Sequence, residues 1–384
     1  MSRVGFIISL DNLLDNGARV NWCSAQPFWT NQSMQLSGTS VDNATARVGD
    51  SVTVQVEVRG LFWTDEQGQT FTQENSVNSI QAWACYPNTL PGTFNQSLIV
   101  FSMNPGNAQR SLPPTLPNPA ICFGGSTDDP APVTTGFLNL TPVWKPVADD
   151  LLPPNDDLLP PNQDGHVCLI ATCAGFADTN GEDAPIGTTI ANDDVTQFDI
   201  CNNAQQGQRN ITILPAPIHK RGGLSQQFGF LAGIADPKRQ ARLAIDIAPF
   251  RQENAIDPAV LNLLQSGPNR NLTFRPANTP LKRVALAKNP HKCHGWLEKI
   301  VCEAEDFVED VVEDIEGLFG HSGGGGKGTR LRLTLPPGGF QPLVFEADLD
   351  ASEAPGNVHV LDVTQTDQET GERGGYRIAV VAIP

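Results

Sequence analysis

SVTVQVEVR, residues 51–59, alternates apolar and polar side chains without interruption. Val52, Val54, Val56 and Val58 share one face, and polar or charged residues separate them. Because successive side chains of a β-strand point to opposite faces, this pattern predicts a strand that is buried on one side. The chain therefore contains a β-sheet with one face against an apolar core.

Other runs of the same kind surround this strand, and turn clusters rich in Asn, Gly, Pro and Asp separate them. The first unit is predicted to contain further strands at 79–86, 167–172 and 209–214. A second set is predicted at 227–231, 242–247, 329–335, 342–348, 357–364 and 376–383. The chain is thus predicted to be mainly β.

The length of 384 residues favours two or three domains. We expect one β-sandwich over residues 1–217, with long Pro-rich loops, and a second over 218–384, joined by a linker at 216–224. The stretch from about 250 to 327 is predicted to be an insertion between the second and third strands of the second sandwich. It contains a short helical segment at 258–265.

The end of this insertion predicts a long amphipathic helix over 296–319, WLEKIVCEAEDFVEDVVEDIEGLF. Apolar residues recur every three or four positions, which places them on one stripe of a helix. This stripe either packs on its own sandwich or docks on another subunit. The second alternative predicts a partner interface formed by Trp296, Ile300, Phe307, Val311, Ile315 and Phe319.

Several segments resemble a known family of modules. They are DNLLDNG (11–17), followed by the Pro-Phe-Trp at 27–29, then ARVGDSVTVQVEVRG (46–60), HVCLIATCAG (166–175) and NNAQQGQRNITI (202–213). In this order they resemble bacterial immunoglobulin-like modules of the adhesion-related, CARDB-like kind, over residues 1–214. The resemblance implies an immunoglobulin-like β-sandwich that is used as a spacer, adhesive or assembly unit. By strand pattern, we expect the second sandwich to be of the same type.

The charge balance excludes several partners. The formal net charge is −17, which repels phosphate backbones and anionic lipid surfaces. We therefore expect no nucleic-acid partner. No apolar run has the length of a transmembrane segment, and the N-terminus has no recognisable signal peptide. The expected location is extracellular or on the cell surface, with the export route open.

Eight cysteines, an even number, leave two alternatives: disulfides or free buried thiols. They are Cys23, Cys85, Cys122, Cys168, Cys173, Cys201, Cys293 and Cys302, and none form the C-x₂-C pair of a zinc ribbon or redox motif. Cys293 and Cys302 are a candidate disulfide. Within one helix they would lie roughly 13.5 Å apart, so the pairing requires Cys293 to lie in a loop before the helix.

No cofactor is predicted. Calcium is an alternative because two acidic clusters, at 178–183 and 348–353, offer several oxygen ligands, although neither has the spacing of a twelve-residue calcium loop. HSGGGGKGTR (321–330) lacks the Gly-Lys-Thr order of a phosphate loop. His166, His219, His321 and His359 are far apart in sequence, and no hydrolase, zinc-protease or dinucleotide motif is present.

These observations predict a non-enzymatic structural protein. The expected role is a self-associating or partner-binding subunit of an extracellular, surface or phage-like assembly, such as a filament. A first alternative is a monomeric adhesive or glycan-binding module, with an aromatic platform drawn from Trp22, Phe28, Trp29, Trp63 and Trp144. A second is an enzyme whose site converges only in the fold.

Overall fold

The structure is a computed structural model, and it describes only part of the chain. The described residues are 6–10, 27–38, 45–60, 63–64, 70–71, 75–86, 88–89, 99–102, 121–123, 134–140, 143–147, 150, 164–178, 183–191, 194–218, 226–234, 236, 238–250, 255–288 and 329–384.

The chain is mainly β, as predicted. The strands before residue 210 form what we call the first half. They are β1 (Phe6–Ile7), β2 (Met34–Ser37), β3 (Thr45–Arg47), β4 (Thr53–Gly60), β5 (Trp63–Thr64), β6 (Thr70–Phe71), β7 (Asn75–Cys85), β8 (Ile99–Ser102), β9 (Ile121–Phe123), β10 (Thr134–Asn139), β11 (Asp164–His166), β12 (Cys168–Asp178), β13 (Asp183–Gly187) and β14 (Gln206–Arg209).

The valine strand is the centre of one sheet of this half. β4 pairs antiparallel with β1, β2 and β10. The facing sheet has the order β13-β12-β7-β8, with β14 also on β12 and β9 on β7; two short hairpin-like pairs, β11-β3 and β5-β6, complete the half. The four valines are fully buried and pack in one cluster with Ile80 and Leu169 of the facing sheet. The prediction of a half-buried strand is confirmed.

The second face of the larger sheet is also covered. Trp83 of β7 and Ile170 of β12 are fully buried there, together with Phe28, Trp29 and Phe198. The Trp83 and Phe198 rings meet edge to face, 5.5 Å between centroids. Aromatic pairs in this geometry add stability beyond the area that they bury.

The strands after residue 210 form the second half. They are β15 (Ile211–Pro217), β16 (Gln226–Gly233), β17 (Ala241–Pro249), β18 (Arg275–Pro276), β19 (Arg283–Lys288), β20 (Thr329–Leu335), β21 (Phe340–Asp348), β22 (Asn357–Asp367) and β23 (Arg373–Ile383), with one helix, α1 (Pro258–Ser266). One sheet has the order β15-β23-β22-β17-β20, with β18 also on β22, and the other is β16-β21-β19.

A single apolar core lies between these two sheets. It includes Phe228 and Phe230 from the smaller sheet and Leu243, Val363 and Tyr376 from the larger one. The outer face of the larger sheet is covered by α1, whose Val260, Leu263 and Leu264 are buried against it. α1 confirms the predicted helix at 258–265.

One strand prediction is wrong in its partner. Residues 209–214 were expected to belong to the first unit, but β15 pairs in parallel with β23, from Ile211 beside Arg377 to Pro217 beside Ile383. The chain passes between the halves at Asn210, which alone separates β14 from β15, and not at 216–224, where β15 ends. β15 is buried on both faces, with Ile211 and Ile213 in the cluster beneath α1 and Leu214 in the core between the sheets. A mostly apolar run of this kind does not specify which sheet it joins.

The stretch from 250 to 327 is only in part an insertion. β18 pairs with β22, β19 pairs with β21 and α1 covers a sheet, so residues 258–288 are constituents of the second half. The long helix predicted at 296–319, with its six interface residues and the candidate pair Cys293 and Cys302, lies outside the described residues. Those expectations stay predictions.

Candidate functional site

A buried polar junction joins the two halves at Asn210. Its side-chain Nδ2 donates hydrogen bonds to the carbonyl oxygens of Asn88, at 2.7 Å, and Gly375, at 3.0 Å. Its backbone N–H donates to Trp29, and its carbonyl oxygen accepts from Arg377. One fully buried residue thus ties two segments of the first half to β23 of the second.

A second set of bonds lies beside it. Gln365 of β22 donates to the Gly233 carbonyl at 2.7 Å and accepts from the Thr89 hydroxyl at 2.8 Å. The Thr89 backbone N–H donates to Leu231 of β16. We call Asn88, Thr89, Asn210, Gln365 and Gly375 the junction.

Apolar and aromatic contacts between the two halves surround the junction. A Cβ on Gly375 would lie 2.5 Å from two atoms of the Trp29 ring, so the indole packs directly on the β23 backbone. His166 of the first half meets the ring of Phe228 edge to face, 5.5 Å between centroids. With Gln365, Thr89 and Asn210 all fully buried, the two halves are packed and hydrogen-bonded as one body.

A cleft opens in the second half, where the edge of the larger sheet is split. β17 leaves β22 after Pro249, which is opposite Leu361, and β18 leaves it after Pro276, which is opposite Val358. The two strands flank the same edge of β22, since β23 occupies the other edge. The gap between them is a cavity of about 340 Å³ beside His359 and Val360.

The lining of the cleft is polar and apolar in similar measure, and it includes one titratable side chain. The side chains and backbone around it belong to Pro249, Phe250, Ala255, Ile256, Pro276, Ala277, Asn278, Thr279, Pro280, Leu281, Val358, His359, Val360 and Leu361. A volume near 340 Å³ is at the lower end for small-molecule sites. Apolar walls with a few polar groups are typical of such sites.

His359 is held by a buried carboxylate. Its Nε2 lies 3.5 Å from Oε2 of Glu353, whose side chain is 1% exposed. The Glu353 carboxylate also accepts hydrogen bonds from the Thr279 hydroxyl, at 2.9 Å, and from the Asn357 amide. The carboxylate is therefore fixed beside the imidazole.

Burial lowers the pKa of His359, while the nearby Glu353 carboxylate raises that pKa in part. The net direction is downward, so the imidazole is neutral at pH 7. A neutral ring whose Nε2–H faces a carboxylate carries its lone pair on Nδ1.

Replacing Glu353 with glutamine is expected to lower the pKa of His359 further. The substitution removes the negative charge that stabilises the imidazolium, while the burial that destabilises it stays. An NMR titration of the His359 ring signals in the wild type and in E353Q measures both pKa values. His166, near Thr45 in the first half, is the internal control and should not change. A His359 pKa that rises in E353Q would contradict this arrangement.

A buried ion network lies next to the cleft. Arg377 of β23 contacts Asp257 and makes two hydrogen bonds to Asp362, at 2.7 and 2.6 Å. Its guanidinium carbon lies 4.2 Å from the centre of the Phe250 ring, which lines the cleft. Asp257 is also the N-cap of α1, since its carboxylate accepts from the Ala259 N–H. The network fixes α1 and one cleft wall to the central sheet.

The structure separates the residues of the second acidic cluster. Asp350 accepts from Ser352 in an exposed turn, whereas Glu353 faces inward to His359. Among the described residues, no three His, Cys, Asp or Glu side chains are close enough to hold a metal ion. The cluster at 178–183 has no described side chain in it, so calcium there stays untested.

The aromatic platform is wrong for three of its five members. Phe28 and Trp29 are in the core beneath the larger sheet of the first half, and Trp144 is 1% exposed and stacks on Phe101. Their aromatic area is used in packing, so it is not available to a glycan. The side chains of Trp22 and Trp63 lie outside the described set.

The cysteines support both alternatives. Cys85, Cys168 and Cys173 are buried thiols that form no disulfide in this structure, and burial raises the pKa of the Cys168 thiol well above its usual value. Cys201 is disulfide-bonded, to a cysteine whose side chain is not described.

Sequence reasoning missed most of these residues. His359 was noted only as one of several scattered histidines, and Glu353 only as a member of an acidic turn. The sequence does carry one signal that could have linked these residues. Asn357 and His359 follow Glu353 by four and six positions, at the start of a strand with a clear apolar pattern. Asn210 carried a weaker signal, as the last residue of the polar triplet Gln208-Arg209-Asn210 before the run ITIL.

Comparison with known proteins leaves the chain without a family. No family model matches it, and no curated protein does. Among solved structures, the comparison includes the collagen adhesin from S. aureus, with 8% identity, 92% of this chain and 94% of that chain covered, and a TM-score of 0.21. The CupB6 tip adhesin from Pseudomonas aeruginosa has 9% identity, coverage of 91% and 98%, and a TM-score of 0.15. At these TM-scores the similarities carry no argument, so the immunoglobulin-like resemblance stays a prediction.

Proposed function

We propose that this chain is a non-enzymatic structural subunit of an extracellular, surface or phage-like assembly such as a filament. The observation that carries the proposal is the junction. A subunit of an assembly must hold its contact surfaces at fixed relative positions. Halves joined through one buried residue and a continuous hydrogen-bonded interface meet this requirement, whereas halves joined by a flexible linker move independently.

The arrangement of side chains in the cleft also supports a non-enzymatic role. A hydrolytic site of the acyl-transfer type needs a nucleophile in hydrogen-bond reach of the base. The Thr279 hydroxyl, which contacts this pair, donates its hydrogen bond to Glu353. The histidine–carboxylate pair therefore lacks the order of a catalytic triad.

The proposed location, outside the cell, rests on the assembly role and on the disulfide at Cys201, because disulfides persist in oxidising compartments. Among the residues that the structure describes, no helix has the length and apolar character needed to cross a membrane. The route by which such a protein leaves the cell is open.

Deleting residues 296–319 is expected to reduce the size of the assembly while both halves stay folded. The six apolar residues proposed as the partner interface lie in this segment, and apolar stripes of this spacing dock in grooves of partner proteins. Static light scattering on the full-length chain and on the deletion variant, at matched concentrations, measures the change. Circular dichroism of both checks that the strands persist.

The outcomes separate two roles of the segment. If the full-length protein assembles and the deletion variant is a monomer with native strand content, the helix is the assembly contact. If both have the same mass, the helix covers its own domain and the predicted interface is wrong. If the full-length chain is itself a monomer at high concentration, the proposal of a self-assembling subunit is wrong.

A further inference from the structure

Two buried cysteines lie opposite each other in the larger sheet of the first half. Cys85 is the last residue of β7, Cys168 is the first residue of β12, and the two are direct partners in the antiparallel register. Both are fully buried and pack in the cluster that contains Trp83 and Ile170. Trp83 and Ile170 are also direct partners, two residues along the ladder, so all four side chains are on one face of the sheet.

This register places the two cysteines at the spacing of a disulfide. The Cα atoms of directly opposite residues in an antiparallel pair are about 4.5 or 5.5 Å apart. Both values lie inside the range of about 4.4–6.8 Å that a disulfide spans. The two strands therefore need no change of register or direction for a bond between Cys85 and Cys168 to form.

The other described cysteines do not offer the same geometry. Cys173 is five residues after Cys168 on β12, so it is on the opposite face, where it packs in the cluster of the valine strand and lies opposite Ile80. Cys201 packs against the same cluster as Cys85 and Cys168, but it is already in a disulfide. Among the described cysteines, Cys85 and Cys168 are thus the two thiols that face each other.

The surroundings of the pair favour reaction before the sheet is closed in the core. Burial, and after it the neighbouring Cys85, raise the pKa of the Cys168 thiol. The Gln208 amide donates to the Cys168 sulfur at 3.9 Å. Because the thiolate is the form that attacks a disulfide, a buried thiol with a raised pKa reacts slowly. The oxidation state of the pair is therefore set most readily during folding.

We propose that Cys85 and Cys168 form a disulfide between β7 and β12 when the chain folds in an oxidising compartment. The oxidant is a low-molecular-weight disulfide. One cysteine thiolate attacks it, which forms a mixed disulfide and releases one small thiolate. The second cysteine thiolate attacks the protein sulfur of the mixed disulfide, which forms the protein bond and releases the second small thiolate. The two protons of the cysteines pass to the two released thiolates, so two protein thiols are oxidised and one small disulfide is reduced.

The bond anchors a segment of the junction. Asn88 and Thr89 follow shortly after Cys85, and their backbone groups bond Asn210 and Leu231. A link from Cys85 to β12 holds the start of this segment to the centre of the sheet. The proposal goes beyond the assembly role and shares with it only the oxidising location.

The test uses full-length protein exported to the bacterial periplasm, an oxidising compartment. The purified protein is unfolded in urea with iodoacetamide, digested without reductant and analysed by mass spectrometry. We expect a linked pair of peptides that contain Cys85 and Cys168, two hydrogens lighter than their sum, and an alkylated Cys173. A linked Cys201 in the same digest shows that the compartment oxidises this protein. Alkylation of both Cys85 and Cys168, or a link from either of them to another cysteine, would overturn the proposal.

Two matched variants measure what the bond contributes. Cys85→Ala and Cys173→Ala each remove one buried sulfur, but only Cys85→Ala removes the proposed disulfide. Without reductant, we expect the urea midpoint of C85A to be lower than that of C173A by roughly 1 M, and with dithiothreitol the two midpoints should approach each other. Equal midpoints without reductant would overturn the anchoring role of the bond.

The peptide analysis of the wild type decides the pairing even if a variant does not fold. It also separates this proposal from the assembly role. A protein that assembles with both Cys85 and Cys168 alkylated would lose the proposal and keep that role. A monomer with the linked pair would retain the proposal without it.

Discussion

Replacing Asn210 with alanine is expected to lower the free energy of unfolding by about 2–5 kcal/mol. The substitution removes the donor of two hydrogen bonds and leaves the buried carbonyl oxygens of Asn88 and Gly375 without it. A buried acceptor that loses its partner costs about 1–3 kcal/mol. Asn210 Oδ1 has no hydrogen-bond partner among the described residues, so its removal breaks no further bond and offsets part of this cost.

Urea denaturation of the wild type and of N210A measures the change as a shift of the midpoint at constant slope. Asn202→Ala is the matched control, since Asn202 is exposed and bonds only Asp199. Its effect should stay within about 0.5 kcal/mol. Equal midpoints for N210A and N202A would mean that the junction does not depend on Asn210.

Replacing Arg377 with methionine is expected to destabilise the protein by about 3–5 kcal/mol. Methionine fills much of the same volume, but Asp257 and Asp362 are left as buried carboxylates without their cation. Breaking a buried ion pair by removing one partner has a cost of this size. Arg330→Met removes an exposed pair with Asp246, and as the control it should cost no more than about 1 kcal/mol.

The deficit of R377M depends on pH. Burial raises the pKa of Asp362 above its ordinary value even in the wild type, and loss of the guanidinium raises it more. A carboxyl whose pKa is higher in the folded state contributes stability at low pH, and this contribution is lost as the pH rises toward the folded value. Urea midpoints at pH 5 and pH 8 should therefore show a smaller deficit at pH 5. A deficit that grows as the pH falls would contradict the account of this network.

The positions of most strands could be predicted because the local pattern of apolar and polar residues is sufficient to indicate a strand. The alternation of Val52 to Val58 requires one buried face in any sheet, and Asp257-Pro258 before an apolar run is a helix start signal. The partners of the strands were not predictable in the same way. β15 is a mostly apolar run that would fit either half, because its pairing with β23 depends on distant chain segments.

The candidate site was less accessible to sequence reasoning than the fold. The cleft exists because β17 and β18 leave the same edge of β22 at different points, and neither departure has a local signature beyond a proline. Glu353 and Asp350 are both acidic residues of the same short segment. Glu353 is only 7% exposed, whereas Asp350 lies in an open turn. Burial of a polar residue depends on what packs over it, and the sequence of one segment does not contain that information.

The most direct test of the central claim is negative-stain electron microscopy of the purified full-length protein. If the chain is a structural subunit whose two halves act as one body, the images should show regular fibres, rings or another defined oligomer with a repeat of constant shape. A uniform population of single particles of 41.3 kDa at high concentration would contradict the proposal that this protein builds an assembly from itself.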